Sequence, residues 1–395
     1  MEYDLETALT GLNELLHGLG VNTSARVELV AGLIMASLGV KDGDSYSTYP
    51  LKVDDLKSGP REKPSRFDGA IVSRRVGEFL EDHGLPEDKI GFIMNRLDSV
   101  FKHSSLGEPR GDKESIIKEV YRYLDRELHT YYKSGLHLDF TGKLFQVMNA
   151  WVQVPDGADN DVVLTPRYVT DLMVKLTGVN RSSYVNDYTL GSGGFLVSAM
   201  KVMLLDVQSQ KVSPRQKELW TQSILTDQLL GVEKLDNMYM LSILNMILMG
   251  DGSANILKGD SLSFDGRYEF GPRKGEVFPA NVALLNPPYS APGKGLIFLE
   301  QALNRMEGGG WGAILIQENA GAGQGGDYAK RLLQQHTLRA SIHMADIFKG
   351  KASVRTAVYL FEAGRPHQKT DLVRFVNMEE DGYLRQNRKK IRCES

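Results

Sequence analysis

The feature that most constrains the fold of this chain is a regular alternation of short apolar segments with amphipathic ones from residue 184 to residue 362. Apolar runs bounded by turn residues predict buried strands, and apolar residues at i, i+3 and i+4 predict helices. Such alternation is typical of a doubly wound α/β fold, in which helices cover both faces of a mostly parallel sheet. We predict strands near residues 184–187, 228–233, 254–258, 281–285, 311–317, 338–344 and 355–362, and helices at 194–208, 214–224, 235–249, 295–307 and 327–336.

The last two predicted strands have no helix between them, so they should form an antiparallel hairpin at one edge of the sheet. Upstream of the sheet, apolar residues recur at helical spacing, and we interpret 41–67 as a long loop. We therefore expect an all-helical N-terminal domain at 1–150, an α/β domain at 151–378 and a short basic tail at 379–395.

The composition is that of an ordinary globular protein, with 42% hydrophobic and 25% charged residues. The net charge of −3 gives no strong footprint for nucleic acid, so a partner or a local basic patch would have to supply phosphate contacts. The single cysteine, Cys393, excludes internal disulfides and cysteine-based zinc sites. We find no signal peptide and no apolar run of membrane-spanning length, and we expect a cytoplasmic protein.

A rigid polar corner follows the strand predicted at 281–285. Leu284 and Leu285 end the strand, and Asn286-Pro287-Pro288-Tyr289 leaves it abruptly, because paired prolines cannot continue a hydrogen-bonded ladder. The corner presents an amide, a bare carbonyl and an aromatic ring at the edge where ligands bind in α/β folds. It suits a planar ring that carries an amino group, although an ordinary Pro-Pro turn would also explain it.

Carboxylates follow three successive predicted strands, at Asp187, Glu233 and Asp260, and a glycine-rich turn at 191–194 follows the first. Glycines at such a turn allow positive φ and close approach of a ligand. Together these residues predict a pocket for a molecule with ammonium, ribose and adenine parts. Thr165 suits the N-cap and Pro166 the first turn of a preceding helix, whose N-terminus favours anions.

In this order, Thr165-Pro166, Asp187 to Gly194, Glu233, Asp260 and Asn286 to Tyr289 resemble the motifs of the DNA amino-methyltransferases that use S-adenosylmethionine. More narrowly, the chain resembles the modification (M) subunits of type I restriction-modification systems, which are N6-adenine DNA methyltransferases. The resemblance covers residues 160–385 by motifs and residues 1–150 by helical character. It implies a Rossmann-like methyltransferase sheet.

The resemblance also assigns roles to residues of this chain. Asn286, Pro287, Pro288 and Tyr289 would be the catalytic motif, and Tyr289 and Phe348 would stack on a flipped target adenine. No metal site is implied. S-adenosyl-L-methionine would be held by Thr165, Pro166, Arg167, Asp187, Gly191, Ser192, Gly193, Gly194, Glu233, Asp260 and Leu262.

The partners that the resemblance implies are double-stranded DNA, a separate specificity subunit, a second copy of this chain and a restriction or translocase subunit. The helical domain would contact DNA or a partner. Two alternatives stay open: a protein-glutamine N-methyltransferase, whose substrate amide presents a similar planar amino group, and a catalytically weakened subunit that only binds cofactor or DNA. The second arises because Tyr188-Thr189-Leu190 replaces the smaller residues of the family pattern, and Leu190 could weaken cofactor binding.

Two further features are weaker. Residues 321–326 fit the spacing of a dinucleotide-binding glycine loop, but they follow the fifth strand of the series, so we favour a mobile loop beside the target-base pocket. The candidate phosphate contacts are basic residues late in the chain, namely Lys349, Lys351, Arg355, Arg385 and Arg388 to Lys390.

Overall fold

The computed structural model describes residues 2–42, 45–133, 144, 165–249, 255–347, 355–380, 383–386 and 389–392. The predicted linker at 157–161, and with it the boundary between the two predicted domains, lies outside these residues. The chain divides into two compact units, one of Met1–Gln153 with Leu244–Ala254 and the other of Val154–Ile243 with Asn255–Ser395. Among the described helices, none combines the length and the hydropathy needed to cross a membrane.

The first unit is largely helical, as the periodicity predicts, and Leu9, Leu12 and Leu16 of its first helix are buried. A short antiparallel hairpin lies partly within the stretch predicted as a loop. The elements are α1 (Glu2–Gly18), α2 (Thr23–Leu38), β1 (Val40–Asp42), β2 (Ser45–Thr48), α3 (Asp68–Asp82), α4 (Glu87–Phe101), α5 (Ser104–Gly107), α6 (Ile116–Tyr123) and α7 (His129–Lys133), with a 3₁₀ turn at Val53–Asp55 and a π-helical turn at Leu124–Leu128.

The rest of the predicted loop is organised by a buried carboxylate at the start of α3. Asp68 accepts hydrogen bonds from the backbone N–H groups of Lys57 and Ser58 and from the hydroxyl groups of Ser58 and Ser115. Hydrogen bonds to both oxygens offset the cost of burying this carboxylate. Asp68 therefore joins the loop to α3 and to the N-cap of α6.

The second unit holds the predicted α/β sheet. Its helices are α8 (Arg167–Leu176), α9 (Gly194–Ser209), α10 (Pro214–Asp227), α11 (Asp236–Leu248), α12 (Leu296–Asn304) and α13 (Gly326–Gln335). The last residues of α11, from Leu244 on, belong to the first unit. Its strands are β3 (Val185–Asp187), β4 (Leu229–Glu233), β5 (Ile256–Lys258), β6 (Val282–Leu285), β7 (Trp311–Gln317), β8 (Thr337–Met344), β9 (Thr356–Glu362) and β10 (Arg374–Met378), with a separate hairpin of β11 (Tyr383–Gln386) and β12 (Lys389–Arg392).

The eight strands lie in the order β10-β8-β9-β7-β6-β3-β4-β5, and all run parallel except β9. The predicted fold class is confirmed, including the antiparallel pairing of the last two predicted strands. The strand order reverses between β3 and β6, which are neighbours in the sheet. In open α/β sheets this reversal opens a crevice at the carboxyl ends of the strands.

Strand β10 was not predicted. It pairs with β8 at the outer edge of the sheet, and its side chains are largely exposed, with Phe375 at 80%. The sequence pattern misses such a strand because its residues do not alternate between buried and exposed positions. The central strands were found because they are buried on both faces, as at Leu284 and Leu285 of β6.

Candidate active site

A cavity of about 410 Å³ opens at the carboxyl ends of β3, β4, β5 and β6, where the strand order reverses. Its volume lies within the range of small-molecule and cofactor sites. The residues that line it are Thr165, Tyr188, Thr189, Leu190, Gly191, Ser192, Gly194, Phe195, Val232, Glu233, Lys234, Leu235, Met238, Asp260, Ser261, Leu262, Asn286, Pro288, Ser290, Ala291 and Phe298.

The glycine loop forms one wall of this cavity. Gly191 and Gly193 have φ of 55° and 81°, a left-handed conformation that glycine adopts without a steric penalty. Gly193 is the N-cap residue of α9, so the loop leads directly into the N-terminus of that helix. Ser192 and Gly194 line the cavity beside it. A helix N-terminus presents unpaired N–H groups and favours a negatively charged ligand group.

Glu233, at the end of β4, is buried and tied to the loop. One carboxylate oxygen accepts from the Gly191 N–H at 2.8 Å, and the other accepts from the Leu235 N–H at 2.6 Å. Burial raises the pKa of Glu233 above its usual range, against the lowering effect of these bonds. Each oxygen keeps a lone pair for a ligand hydroxyl group.

Asp260 follows β5 and, unlike Glu233, is exposed. Lys234 Nζ lies 2.9 Å from one of its oxygens, and the Leu262 N–H donates to the other at 3.1 Å. The hydrogen bond from Lys234 holds the pKa of Asp260 below its usual range, so this carboxylate is charged at neutral pH. Lys234 was not predicted as a site residue, and it also lines the cavity.

Asp187 ends β3 and is fully buried. Its Oδ1 accepts from both the N–H and the hydroxyl of Thr189, at 2.9 and 3.1 Å, and its Oδ2 has no hydrogen-bond partner. Burial raises the pKa of Asp187 to about 7, because the two bonds from Thr189 offset only part of the desolvation. Asp187 is not among the lining residues, so it lies behind the cavity wall and holds Thr189 in it.

The polar corner begins where β6 ends, as the sequence predicts. The Asn286 side-chain amide donates to Thr165 Oγ1 at 2.8 Å, its backbone N–H donates to Thr189 Oγ1 at 3.0 Å, and Tyr289 Oη lies 3.3 Å from its Oδ1. Asn286 and Pro288 line the cavity, whereas Pro287 is buried and Tyr289 is half-buried beside them.

Pro287 packs against a turn of unusual backbone conformation. Gly293, Lys294 and Gly295 all have positive φ, and a Cβ atom at position 295 would lie 2.5 Å from Pro287 Cγ. Lys294 is not glycine, so its φ of 56° stores strain. The turn therefore fixes the corner from behind through a contact that only glycine permits.

The predicted N-cap at Thr165 is wrong. Helix α8 begins at Arg167 with Pro166 at its N-cap position, and no side chain caps it. The Thr165 hydroxyl bonds Asn286 instead. Arg167 Nε lies 3.9 Å from Asp171 Oδ2. Neither Pro166 nor Arg167 is among the cavity's lining residues.

Residues 321–326 lie beside the turn that supports the corner, because a Cβ atom added at Gly325 would lie 3.3 Å from the Gly293 carbonyl oxygen. None of them is among the cavity's lining residues. Phe348, Lys349, Lys351 and Arg388 lie outside the described residues. Within the part of the chain that the structure describes, no group of three or more His, Cys, Asp or Glu residues is placed to hold a metal ion.

Sequence reasoning missed the contribution of Thr189, which joins Asp187 to Asn286. A signal was present, since a threonine two residues after an aspartate at a strand end often bonds it in a turn.

The chain is similar to known proteins both in sequence and in fold. Residues 147–295 match the family described as N-6 DNA Methylase. The chain is 31% identical over 332 residues to the type II restriction enzyme and methyltransferase RM.BcgI of Heyndrickxia coagulans, covering 80% of this chain. It spans about half, 49%, of the length of that curated relative.

Solved structures share the fold. The methyltransferase subunit of a type I restriction-modification system from Streptococcus thermophilus matches with a TM-score of 0.65 and 17% identity, over 100% of this chain and 91% of that one. A chain from a study of complex assembly in a type I R-M system matches with a TM-score of 0.58 and 16% identity, over 95% and 77%. Residues 147–295 therefore match the N-6 DNA methylase family, and the chain shares its fold with a type I methyltransferase subunit.

Proposed function

We propose that this chain transfers a methyl group from S-adenosylmethionine to the N6 amino group of an adenine flipped out of double-stranded DNA, as the modification subunit of a type I restriction-modification-like complex. The observation that carries the proposal is that Asn286 lines the same cavity as the glycine loop, Glu233 and Asp260. A donor held by the loop and an acceptor held by Asn286 would then be close enough to react.

The residues fit that cofactor by their chemistry. The α9 N-terminus and its glycine loop suit the methionine carboxylate, Glu233 suits the ribose hydroxyl groups, and Asp260 suits the adenine amino group. Asp187 Oδ2, which has no hydrogen-bond partner, is a buried acceptor behind the cavity wall near the proposed position of the ammonium. When bound, S-adenosylmethionine supplies a methyl group activated by a positively charged sulfonium, which becomes a neutral thioether when the methyl group is transferred.

Asn286 would act on the target amino group. That nitrogen is a poor nucleophile because its lone pair is delocalised into the ring. Two acceptors, Asn286 Oδ1 and the Pro287 carbonyl, would favour a tetrahedral nitrogen as the new bond forms, which is stabilisation aimed at the transition state. The cofactor, held by the glycine loop, Glu233 and Asp260, would supply the methyl group and keep the electron pair of the broken C–S bond, and the methylated amino group would release one proton to solvent.

Tyr289 and Phe348 would stack on the flipped base. In the structure Tyr289 Oη is bonded to Asn286 Oδ1, so the incoming amino group would have to replace that hydroxyl. The basic residues Arg355, Arg385, Lys389 and Lys390, with those outside the described residues, are the proposed phosphate contacts.

The partners are also proposed. A net charge of −3 favours a separate specificity subunit that grips most of the DNA, with a second copy of this chain and a restriction or translocase subunit in the complex. We propose that the helical region at 1–150 makes DNA or partner contacts, that residues 151–378 form the catalytic domain with the tail at 379–395, and that the complex works in the cytoplasm.

The test has two steps. Calorimetric titration of the complex, purified through a tag on this chain, should show S-adenosylmethionine binding. Tritiated methyl should then enter genomic DNA from a host strain that lacks this gene. Methyl that enters protein instead would favour the glutamine methyltransferase, binding without transfer would favour a weakened subunit, and no binding would remove the cofactor assignment.

A further inference from the structure

Two threonine hydroxyl groups accept hydrogen bonds from Asn286 at the polar corner. The side-chain Nδ2 donates to Thr165 Oγ1, and the backbone N–H donates to Thr189 Oγ1. An asparagine amide can rotate by half a turn and exchange its acceptor for its donor with little change of shape. With Thr165 Oγ1 at Nδ2 and Tyr289 Oη 3.3 Å from Oδ1, the amide is held at both ends in the orientation that places Oδ1 on the side of Tyr289, where the target base is proposed to stack.

The Thr189 hydroxyl can act only as an acceptor toward Asn286. It has one hydrogen, which it donates to Asp187 Oδ1 at 3.1 Å, and its lone pairs therefore receive the Asn286 N–H. Because Asp187 is fully buried and also accepts from the Thr189 N–H, the direction of this relay is fixed.

The corner offers few other ways to hold its backbone. Pro287 and Pro288 have no N–H, so the Asn286 N–H is the last backbone donor before Tyr289. The ladder between β3 and β6 pairs Asn186 with Ala283 and does not extend to Asn286. The Thr189 hydroxyl thus continues the link between the two strands beyond the end of their ladder.

We propose that Thr165 and Thr189 are positioning residues that together orient Asn286, so that its Oδ1 faces the amino group to be methylated. The proposal rests on the proposed function for its catalytic consequence. It gives Thr165 a role beyond the cofactor contact that the motif order implies. Misplacement of a catalytic group by about 1 Å lowers rates by on the order of a hundredfold.

The variants are Thr165→Val and Thr189→Val, which remove a hydroxyl at nearly constant volume, and Thr165→Ser and Thr189→Ser, which keep it. Thr226→Val is the matched control, because the Thr226 hydroxyl bonds Gln222 within its own helix. Each variant of the tagged complex is assayed for methyl transfer to genomic DNA at saturating S-adenosylmethionine and for cofactor affinity by calorimetry.

Each valine variant should lower the transfer rate by about ten- to a hundredfold, and each serine variant should recover most of it. In the Thr189 variants the dissociation constant for S-adenosylmethionine should stay within roughly threefold of wild type. Equal rates in the valine variants and wild type, or serine variants no better than valine, would overturn the positioning role.

A second readout does not depend on activity. With selective ¹⁵N-asparagine labelling, the resonances of Asn286 are assigned by their loss in Asn286→Asp. Thr165→Val should move the side-chain NH₂ pair, and Thr189→Val should move the backbone N–H. Resonances that stay in place would overturn the inference whether or not wild type methylates DNA. A wild type that transfers no methyl to DNA would count only against the proposed function.

Discussion

The side chain of Leu190 occupies the space beside Gly231 that any larger residue at position 231 would need. A Cβ atom on Gly231 would lie 2.6 Å from Leu190 Cδ1 and 2.9 Å from Cδ2. Leu190 is 3% exposed, so most of its bulk packs against β4 although it also lines the cavity. The leucine that departs from the family pattern is thus accommodated by a glycine in the neighbouring strand.

Gly231→Ala should therefore destabilise the protein by about 1–3 kcal/mol, because overpacking forces Leu190 out of its position. Urea denaturation followed by circular dichroism measures the loss. Gly259→Ala is the control, since a Cβ there meets nothing within 4 Å. Adding Leu190→Ala to Gly231→Ala should recover part of the lost stability, and no recovery would show that the two side chains do not compete for this space.

Asn286→Ala should abolish N6-methyladenine formation and leave S-adenosylmethionine binding within roughly threefold of wild type. The reason is that Asn286 Oδ1 is the proposed acceptor of the target amino group, whereas the glycine loop and Glu233 are proposed to hold the cofactor. Mass spectrometry of digested DNA and calorimetry measure the two effects. Methylation retained in Asn286→Ala would remove its catalytic assignment.

The stability of the protein should depend on the charge of Asp187. Its pKa is raised from 3.8 to about 7, so the folded protein binds this proton more tightly than the unfolded chain does. The associated stability is fully present below pH 4 and is lost as the pH rises toward 7. Asp187→Asn keeps a neutral side chain and should escape this loss.

Urea denaturation of wild type and Asp187→Asn at pH 5 and pH 8 isolates the effect, because Glu233 and other titrating groups are common to both proteins. From pH 5 to pH 8 the free energy of unfolding of wild type should fall by on the order of 2–3 kcal/mol more than that of Asp187→Asn. A difference that is the same at both pH values would mean that the Asp187 carboxyl does not titrate in this range.

Gly295→Ala should impair methyl transfer by displacing the corner. Its Cβ would contact Pro287 Cγ, and its φ of 95° is strained for any other residue. Gly271→Ala carries a similar strain, at φ 76°, but its Cβ meets nothing within 4 Å. Both variants should lose about 1–2 kcal/mol of stability, while only Gly295→Ala should also lose activity at a temperature where both are folded. Equal activity in the two variants would mean that Pro287 is not held by this contact.

Much of the sheet was predictable because its central strands are buried on both faces, which leaves uninterrupted apolar runs that end at polar residues. Asp187 and Glu233 end β3 and β4, and Asn286 directly follows β6, as expected from those runs. Strand β10 escaped prediction because it is an exposed edge strand. Helix α8 was predicted one position early, since proline is compatible with both the N-cap and the first turn.

The sequence by itself determined which strand ends meet at the crevice, because parallel strands deliver their carboxyl ends to one edge of the sheet. Only the tertiary structure decided how those residues are bonded to one another. The bond between Thr165 and Asn286 joins residues 121 positions apart, and Leu190 and Gly231 share a space that depends on how β3 and β4 pair. Such contacts are set by the distance and angle between packed elements, which the local pattern of polar and apolar residues does not encode.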